Sequence, residues 1–344
     1  MNPIIWSTLT TSLLLSTIIT LSSNHWLLAW LGLELNTLSI LPMIMKSNHP
    51  RATEATTKYF MIQATAATMI LLASIMNAWQ TGQWTIYHTT PTSTLMATTA
   101  IMLKLGVAPV YLWYPQVLQG TTMNTALLIS TWQKLAPLAL LYMMYNTLDH
   151  TMLLLLGLTS SLVGGWAGLN QTQVRMIMAF SSIAHMGWLI TAMTLSPDLT
   201  TLTMITYMMM TIATFAPLAT MTKTITDVGT TWPASPPTLT TTMIMLMSLG
   251  GLPPLTGFMP KLLILKELTT TGLTTFATLI LLSSLPSLFF YIRLAYLTML
   301  TTPPTTTPTE HKWRFKLHQP TYTAPMAMMT TLLLPMTASL YTMT

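Results

Sequence analysis

The chain has 344 residues, of which 51% are hydrophobic and only 6% are charged. A soluble domain carries roughly 25% charged residues, so this composition excludes a globular enzyme in water. The absence of cysteine excludes disulfides, thiolate zinc sites, a cysteine nucleophile and the usual ligands of iron–sulfur clusters.

Crossing about 30 Å of hydrocarbon takes roughly 20 apolar residues. Eleven stretches qualify, at about 3–22, 25–44, 55–78, 93–119, 121–145, 148–169, 174–195, 199–222, 239–268, 272–299 and 324–343. Barrel strands are shorter and alternate polar with apolar residues, whereas these runs are apolar on all sides. The expected fold is therefore an all-α polytopic membrane protein. The first run has neither a basic flank nor a small-residue cleavage site, so it is expected to remain a span. Two connections are long. Residues 223–238 carry turn chemistry, and 300–323 begins as a Thr/Pro tract and ends basic and aromatic. The second suits a solvated loop and a membrane surface or acidic neighbour equally well.

With eleven spans, the face bearing the N-terminus collects nine basic residues: Lys46, Arg51, Lys58, Arg175, Lys223, Arg293, Lys312, Arg314 and Lys316. The opposite face has Lys266 alone. This bias places the N-terminus on the cytoplasm-like side.

Three lysines fit no loop. Lys104 and Lys261 lie beside helix-breaking clusters, and Lys134 lies near the middle of its span. Glu34 is the tenth residue of a 20-residue span. Facing lipid unpaired, these four would cost roughly 10–14 kcal/mol together, so they are expected to face the bundle interior. Lys104 and Lys261 can alternatively reach an interface along their stems; for Lys134 and Glu34 the alternative is structural ion pairing, Glu34 being the natural partner of one lysine that the sequence does not single out. The functional reading is a proton relay. Burial favours a neutral amine and a neighbouring carboxylate favours the ammonium, so a lysine between the two responds to charge nearby. His185 lies inside a span and either extends the relay or is a hydrogen-bonded core histidine.

The spans at 93–119 and 239–268 contain breakers: Gly106, Pro109 and Pro115 in one, and Gly250, Gly251, Pro253, Pro254 and Pro260 in the other. Each also holds one of the lysines. Interrupted helices at corresponding places in two halves mark an internal repeat, and a five-span offset makes the repeats inverted. The expected organisation is a first five-helix repeat at 1–145, a second at 146–299, a basic loop at 300–323 and a C-terminal helix at 324–344. The GxxxG at Gly164–Gly168 is expected to pack helices. There is no P-loop, no dinucleotide fingerprint and no His pair with metal-ligand spacing, so no metal or cofactor site is expected in the chain.

Several strings carry a family resemblance: WLGLELNTLSILP around Glu34, LKLGVAPVYLWYPQVLQG around Lys104, and WQKLAPL at Lys134. To these are added LNQTQVRMIMAFSSIAHMGW at 169–188 and SLGGLPPLTGFMPKL at 248–262. Together they resemble the mitochondrial NADH–ubiquinone oxidoreductase chain 2 family, the smallest of three antiporter-like membrane subunits of respiratory complex I. The resemblance implies two inverted repeats joined by a central hydrophilic axis, with Glu34 and Lys104 as a Glu–Lys pair. Lys134 would be the connecting lysine and Lys261 the lysine of the second repeat. It implies the inner mitochondrial membrane, with the N-terminus in the matrix and the C-terminus in the intermembrane space. The implied partners are other membrane-arm subunits and lipids such as cardiolipin, with no nucleic acid. NADH, FMN, iron–sulfur clusters and ubiquinone would bind elsewhere in the assembly. Where many relatives read APFHxWxP followed by an acid, this chain has Val110, Tyr111 and Gln116. The residues alone leave three functions open: a proton-translocating subunit, a stand-alone cation/proton antiporter and a structural membrane spacer.

Overall fold

The structure is a computed structural model describing residues 3–45, 49–221, 224–229, 232, 235–302, 323–336 and 339. Lys46, Lys223, Lys312, Arg314, Lys316 and nearly all of the basic loop lie outside these residues. Apart from two isolated bridges, the regular structure among them is helical. Among the described residues, eight helical stretches are long and apolar enough to cross a membrane, the interrupted one at Met123–Met143 counted as one. The chain forms two compact units, residues 1–156 and 157–344.

The first unit runs through α1 (Pro3–Ser22), α2 (Trp26–Ile44), α3 (Pro50–Thr81), α4 (Pro91–Leu105), α5 (Trp113–Gly120), α6 (Met123–Ser130) and α7 (Leu135–Met143). Helices α2 and α3 begin at histidine caps, where the Nδ1 atoms of His25 and His49 accept the amide protons of Leu27 and Arg51. The Trp30 indole donates to the Ala67 carbonyl at 3.1 Å and ties α2 to α3. Outward faces carry residues such as Leu15, Ile18, Leu28 and Met61, which lipid solvates without penalty. The many Thr and Ser hydroxyls are satisfied inside their own helices, as Thr20 donates to the Thr17 carbonyl at 2.8 Å. That local bond is why a threonine-rich sequence tolerates hydrocarbon.

The run at 121–145, expected to be continuous, is interrupted. Helix α6 ends at Ser130, a 3-10 turn spans Trp132–Lys134, and α7 starts at Leu135. Pro137 has no N–H for the Gln133 carbonyl and its ring crowds that carbonyl, so the regular ladder cannot pass through this turn. The lysine expected in a plain helix therefore sits on a distortion.

The second unit is formed by most of α8 (His150–Gly168), then α9 (Val174–Leu195), α10 (Pro197–Met221), α11 (Ile225–Gly229), α12 (Pro236–Gly250), α13 (Phe258–Thr270), α14 (Thr274–Leu300) and α15 (Thr323–Leu332). Trp188 and Ala192 of α9 cluster with Leu199 of α10, Ile264 and Leu268 of α13, and Ala277 and Ile280 of α14. The end of α9, the start of α10, the end of α13 and the start of α14 thus share one end of the unit. Glycines bring α8 onto α9. A Cβ on Gly187 would meet the Gly157 carbonyl at 2.6 Å and the Ser161 nitrogen at 2.8 Å. Gly187→Ala is expected to destabilise the unit by about 1–3 kcal/mol. The thermal midpoint of the assembled protein checks this, and an unchanged midpoint contradicts it. The glycines of the GxxxG string pack likewise, Gly164 against Ala184 and Gly168 against Phe290.

Candidate functional site

Both lysine-bearing spans are broken. Helix α4 ends at Gly106, whose φ of 70° places it in the left-handed region. The chain then passes through Pro109, which follows a cis peptide bond, and resumes helix at Trp113. Helix α12 ends with Gly250, and Gly251 caps it at φ 80°. Pro253 and Pro254 lie in the connection to Phe258, where α13 begins. Glycine suits both caps because the left-handed region carries no Cβ penalty for it. Pro115 and Pro260, read from the sequence as part of the breaks, instead lie in the first turns of α5 and α13. A missing N–H is harmless there, so these prolines start helices rather than end them.

In the first unit, Lys104 and Lys134 line one small cavity. They are 6% and 3% exposed, so Lys104 does not reach out to an interface. Its Nζ has no hydrogen-bond partner among the described residues. The Lys134 ammonium stands 5.2 Å from the centre of the Tyr114 ring, close enough for a cation–π attraction. Tyr59, Trp113 and Tyr114 form a connected series of ring contacts along the same cavity. Glu34 is half-buried on α2, where its Oε2 accepts the Thr37 hydroxyl at 3.2 Å. Glu34 and Lys104, the pair implied by the resemblance, do not meet as an ion pair within 4.0 Å.

Neutral groups complete this cavity. The Gln133 amide donates to Asn36 Oδ1 at 3.0 Å and accepts from the Tyr59 hydroxyl at 3.3 Å. Gln63 donates to the Lys104 carbonyl at 3.4 Å. Sequence reading did not single out these residues, although amides inside apolar spans are a signal of a polar interior. Val110 and Gln116 are exposed and line no part of the cavity.

In the second unit, Lys261 lies on the first turn of α13 and its Nζ donates to the Gly250 carbonyl at 3.0 Å. That carbonyl ends α12, so the ammonium meets the negative end of a half-helix. Nζ also lies 5.8 Å from the Trp188 ring centre. The His185 ring lies tilted at 45° against Tyr207, with ring centres 5.6 Å apart. Two small cavities meet here, and His185, Trp188 and Lys261 line both. The larger adds Thr203, Thr206 and Tyr207 of α10, and the smaller adds serines of α8, α9 and α14. Those serines escaped the sequence reading, yet Ser283, Ser287 and Tyr291 recur every fourth residue and so share one helix face. Among the described residues no group of three His, Asp or Glu could hold a metal ion.

Two family descriptions match this chain. One, "NADH:quinone oxidoreductase/Mrp antiporter, TM", covers residues 23–287, and the other, "NADH dehydrogenase subunit 2 C-terminus", covers 288–341. A NADH-ubiquinone oxidoreductase chain 2 of Carassius auratus is 52% identical over 347 residues, covering 100% of both chains. That of Gallus gallus is 50% identical, again over 100% of both. Among solved structures, a chain of respiratory complex I from Thermus thermophilus matches with a TM-score of 0.83 at 24% identity, over 97% of this chain and 77% of that one. A chain of the Mrp complex from Dietzia sp. matches at 0.81 and 15% identity, over 97% and 75%. Both likenesses concern the fold.

Proposed function

The chain belongs to the NADH–ubiquinone oxidoreductase chain 2 family, whose members are membrane-arm subunits of complex I, and on that premise we propose that it translocates protons through Glu34, Lys104, Lys134 and Lys261, with His185 extending the path. The observation that carries this reading is the repeated association of a broken helix, an intramembrane lysine and a polar cavity, once in each unit. A lysine held in such a cavity binds or releases its proton according to the charges a few ångströms away. Quinone reduction elsewhere in the complex would move the first charge, and the lysines would answer in turn. This chain would supply charge movement, and NADH, FMN, iron–sulfur clusters and ubiquinone would be bound by other subunits.

The proposed topology is eleven spans in two inverted five-helix repeats, residues 1–145 and 146–299, followed by the loop at 300–323 and a last helix at 324–344. The loop charges support an N-terminus in the mitochondrial matrix and a C-terminus in the intermembrane space. The partners would be other membrane-arm subunits, with lipids including cardiolipin at the rim.

Proton uptake and NADH oxidation measured together in inner-membrane vesicles test the proposal. Lys261→Met is expected to leave the complex assembled while lowering coupled proton transfer by about ten-fold or more. Full pumping in that variant would remove Lys261 from the path. If the purified chain alone exchanges cations for protons in vesicles, the antiporter reading takes its place. If neutralising all four groups leaves pumping intact, the chain is a spacer.

A further inference from the structure

Arg293 has no part in the reading above. We propose that it holds the phosphate of an anionic phospholipid whose chains lie in an outward furrow between α8 and α14. The inference rests on the proposed membrane topology and not on any lysine carrying a proton.

Depth comes first. Helix α8 has 19 residues, a length of about 28 Å that nearly crosses the hydrocarbon layer, so its end marks that layer's boundary. The Arg293 Nη1 donates to the Leu169 carbonyl, just past that end. Helix α14 runs on from Arg293 to Leu300, about 10 Å further. The guanidinium therefore sits at the level of the lipid headgroups.

The flanking side chains come second. Gly165 lets α8 lie against α14, for a Cβ there would meet the Ser283 carbonyl at 3.1 Å and the Pro286 Cβ at 3.2 Å. Beside that contact Trp166 of α8 is 74% exposed and Tyr296 of α14 is 62% exposed. Trp166 lies one turn before Leu169 and Tyr296 one turn after Arg293, so the two rings flank the guanidinium. Leu162 and Phe289, also exposed, stand one turn deeper on the same faces.

Chemistry identifies the occupant. A guanidinium offers several N–H donors in a planar fork, and the Leu169 carbonyl takes one of them. Arg293 meets no carboxylate within 4.0 Å among the described residues. Against hydrocarbon or an apolar helix its remaining donors would go unsatisfied. A phosphate accepts two of them side by side. Tryptophan and tyrosine favour the same level, with the ring body toward the chains and the polar tip toward water. Leu162 and Phe289 below them are the surface that an acyl chain covers without penalty. With no carboxylate at Arg293 to receive the ammonium of a zwitterionic headgroup, the charge favours an anionic one.

The test places the assembled complex in phosphatidylcholine vesicles that hold a small share of photoactivatable phosphatidylglycerol. Cross-links mapped by mass spectrometry are expected around Trp166 and Tyr296, about ten-fold above those from a matched photoactivatable phosphatidylcholine. Equal labelling by the two probes overturns the proposal. Arg293→Gln is expected to abolish the difference, and a difference that persists removes Arg293 as its cause. The comparison of probes needs no variant, so it decides the matter even where Arg293→Gln fails to assemble. Excess inorganic phosphate is expected to leave the labelling unchanged, because the chains add to the binding. Displacement by phosphate would overturn the lipid in favour of a free anion. Labelling of neither segment, with both cross-linked to another subunit instead, would make the furrow a subunit interface and overturn the proposal. Labelling is read without pumping. Normal pumping by Lys261→Met would refute the proton-carrier reading while leaving the lipid site standing.

Discussion

Replacing Lys134 by Met is expected to abolish coupled proton transfer while the complex still assembles, with a loss of about ten-fold or more. Lys134 shares its cavity with Lys104 and lies against Tyr114, so it is the cation through which the first-unit cavity reaches the 3-10 turn. Methionine has nearly the same length and volume, and a volume-conserving swap at a site that is 3% exposed keeps the packing. Removing a buried cation also relieves a desolvation penalty, which offsets the lost contact with the Tyr114 ring. Stability maintained with pumping lost is the signature of a functional charge. Pumping maintained would mean that Lys134 only fills space. Native gel electrophoresis of the complex, with proton uptake measured beside NADH oxidation, separates the two.

Gly251→Ala is expected to impair proton transfer strongly, whereas Gly272→Ala is not. Both glycines sit at positive φ, 80° and 84°, so alanine costs about 1–2 kcal/mol of backbone strain at either. Their surroundings differ. A Cβ at Gly251 would lie 2.9 Å from the Lys261 Nζ and 3.2 Å from its Cδ and Cε, whereas at Gly272 nothing lies within 4 Å. The added methyl at Gly251 would push the ammonium off the Gly250 carbonyl that it caps. Comparable losses of pumping in the two variants would assign the effect to strain. A loss confined to Gly251→Ala would assign it to the placement of Lys261.

The path from sequence to site is uneven in a physically sensible way. Apolar run length and the scarcity of charge make the helical membrane character plain, because a backbone in hydrocarbon has so few ways to satisfy its own hydrogen bonds. The two breaks were legible for the same reason, since glycine followed by prolines cannot extend a helix. The interruption before Leu135 was not, because a single Pro137 inside an apolar run reads as a tolerated kink. Its effect at the preceding turn depends on the local course of the chain. The serines and amides around the lysines were passed over because each is common in membrane helices and most satisfy themselves locally.

By itself the sequence determined that the chain is helical, which four charges need a reason to be in the membrane, where two helices break and which family it resembles. These follow from local rules that concern one segment at a time. Only the tertiary structure decided that Lys104 and Lys134 share a cavity and that Glu34 and Lys104 stand apart. It also decided that Lys261 caps α12 and that two cavities meet at His185 and Lys261. Those facts bring together residues from separate helices, as Ser161 and Ser283 show across 122 positions. No periodicity encodes a distance between segments. The charges that composition made conspicuous acquire their chemistry from neighbours that composition made ordinary.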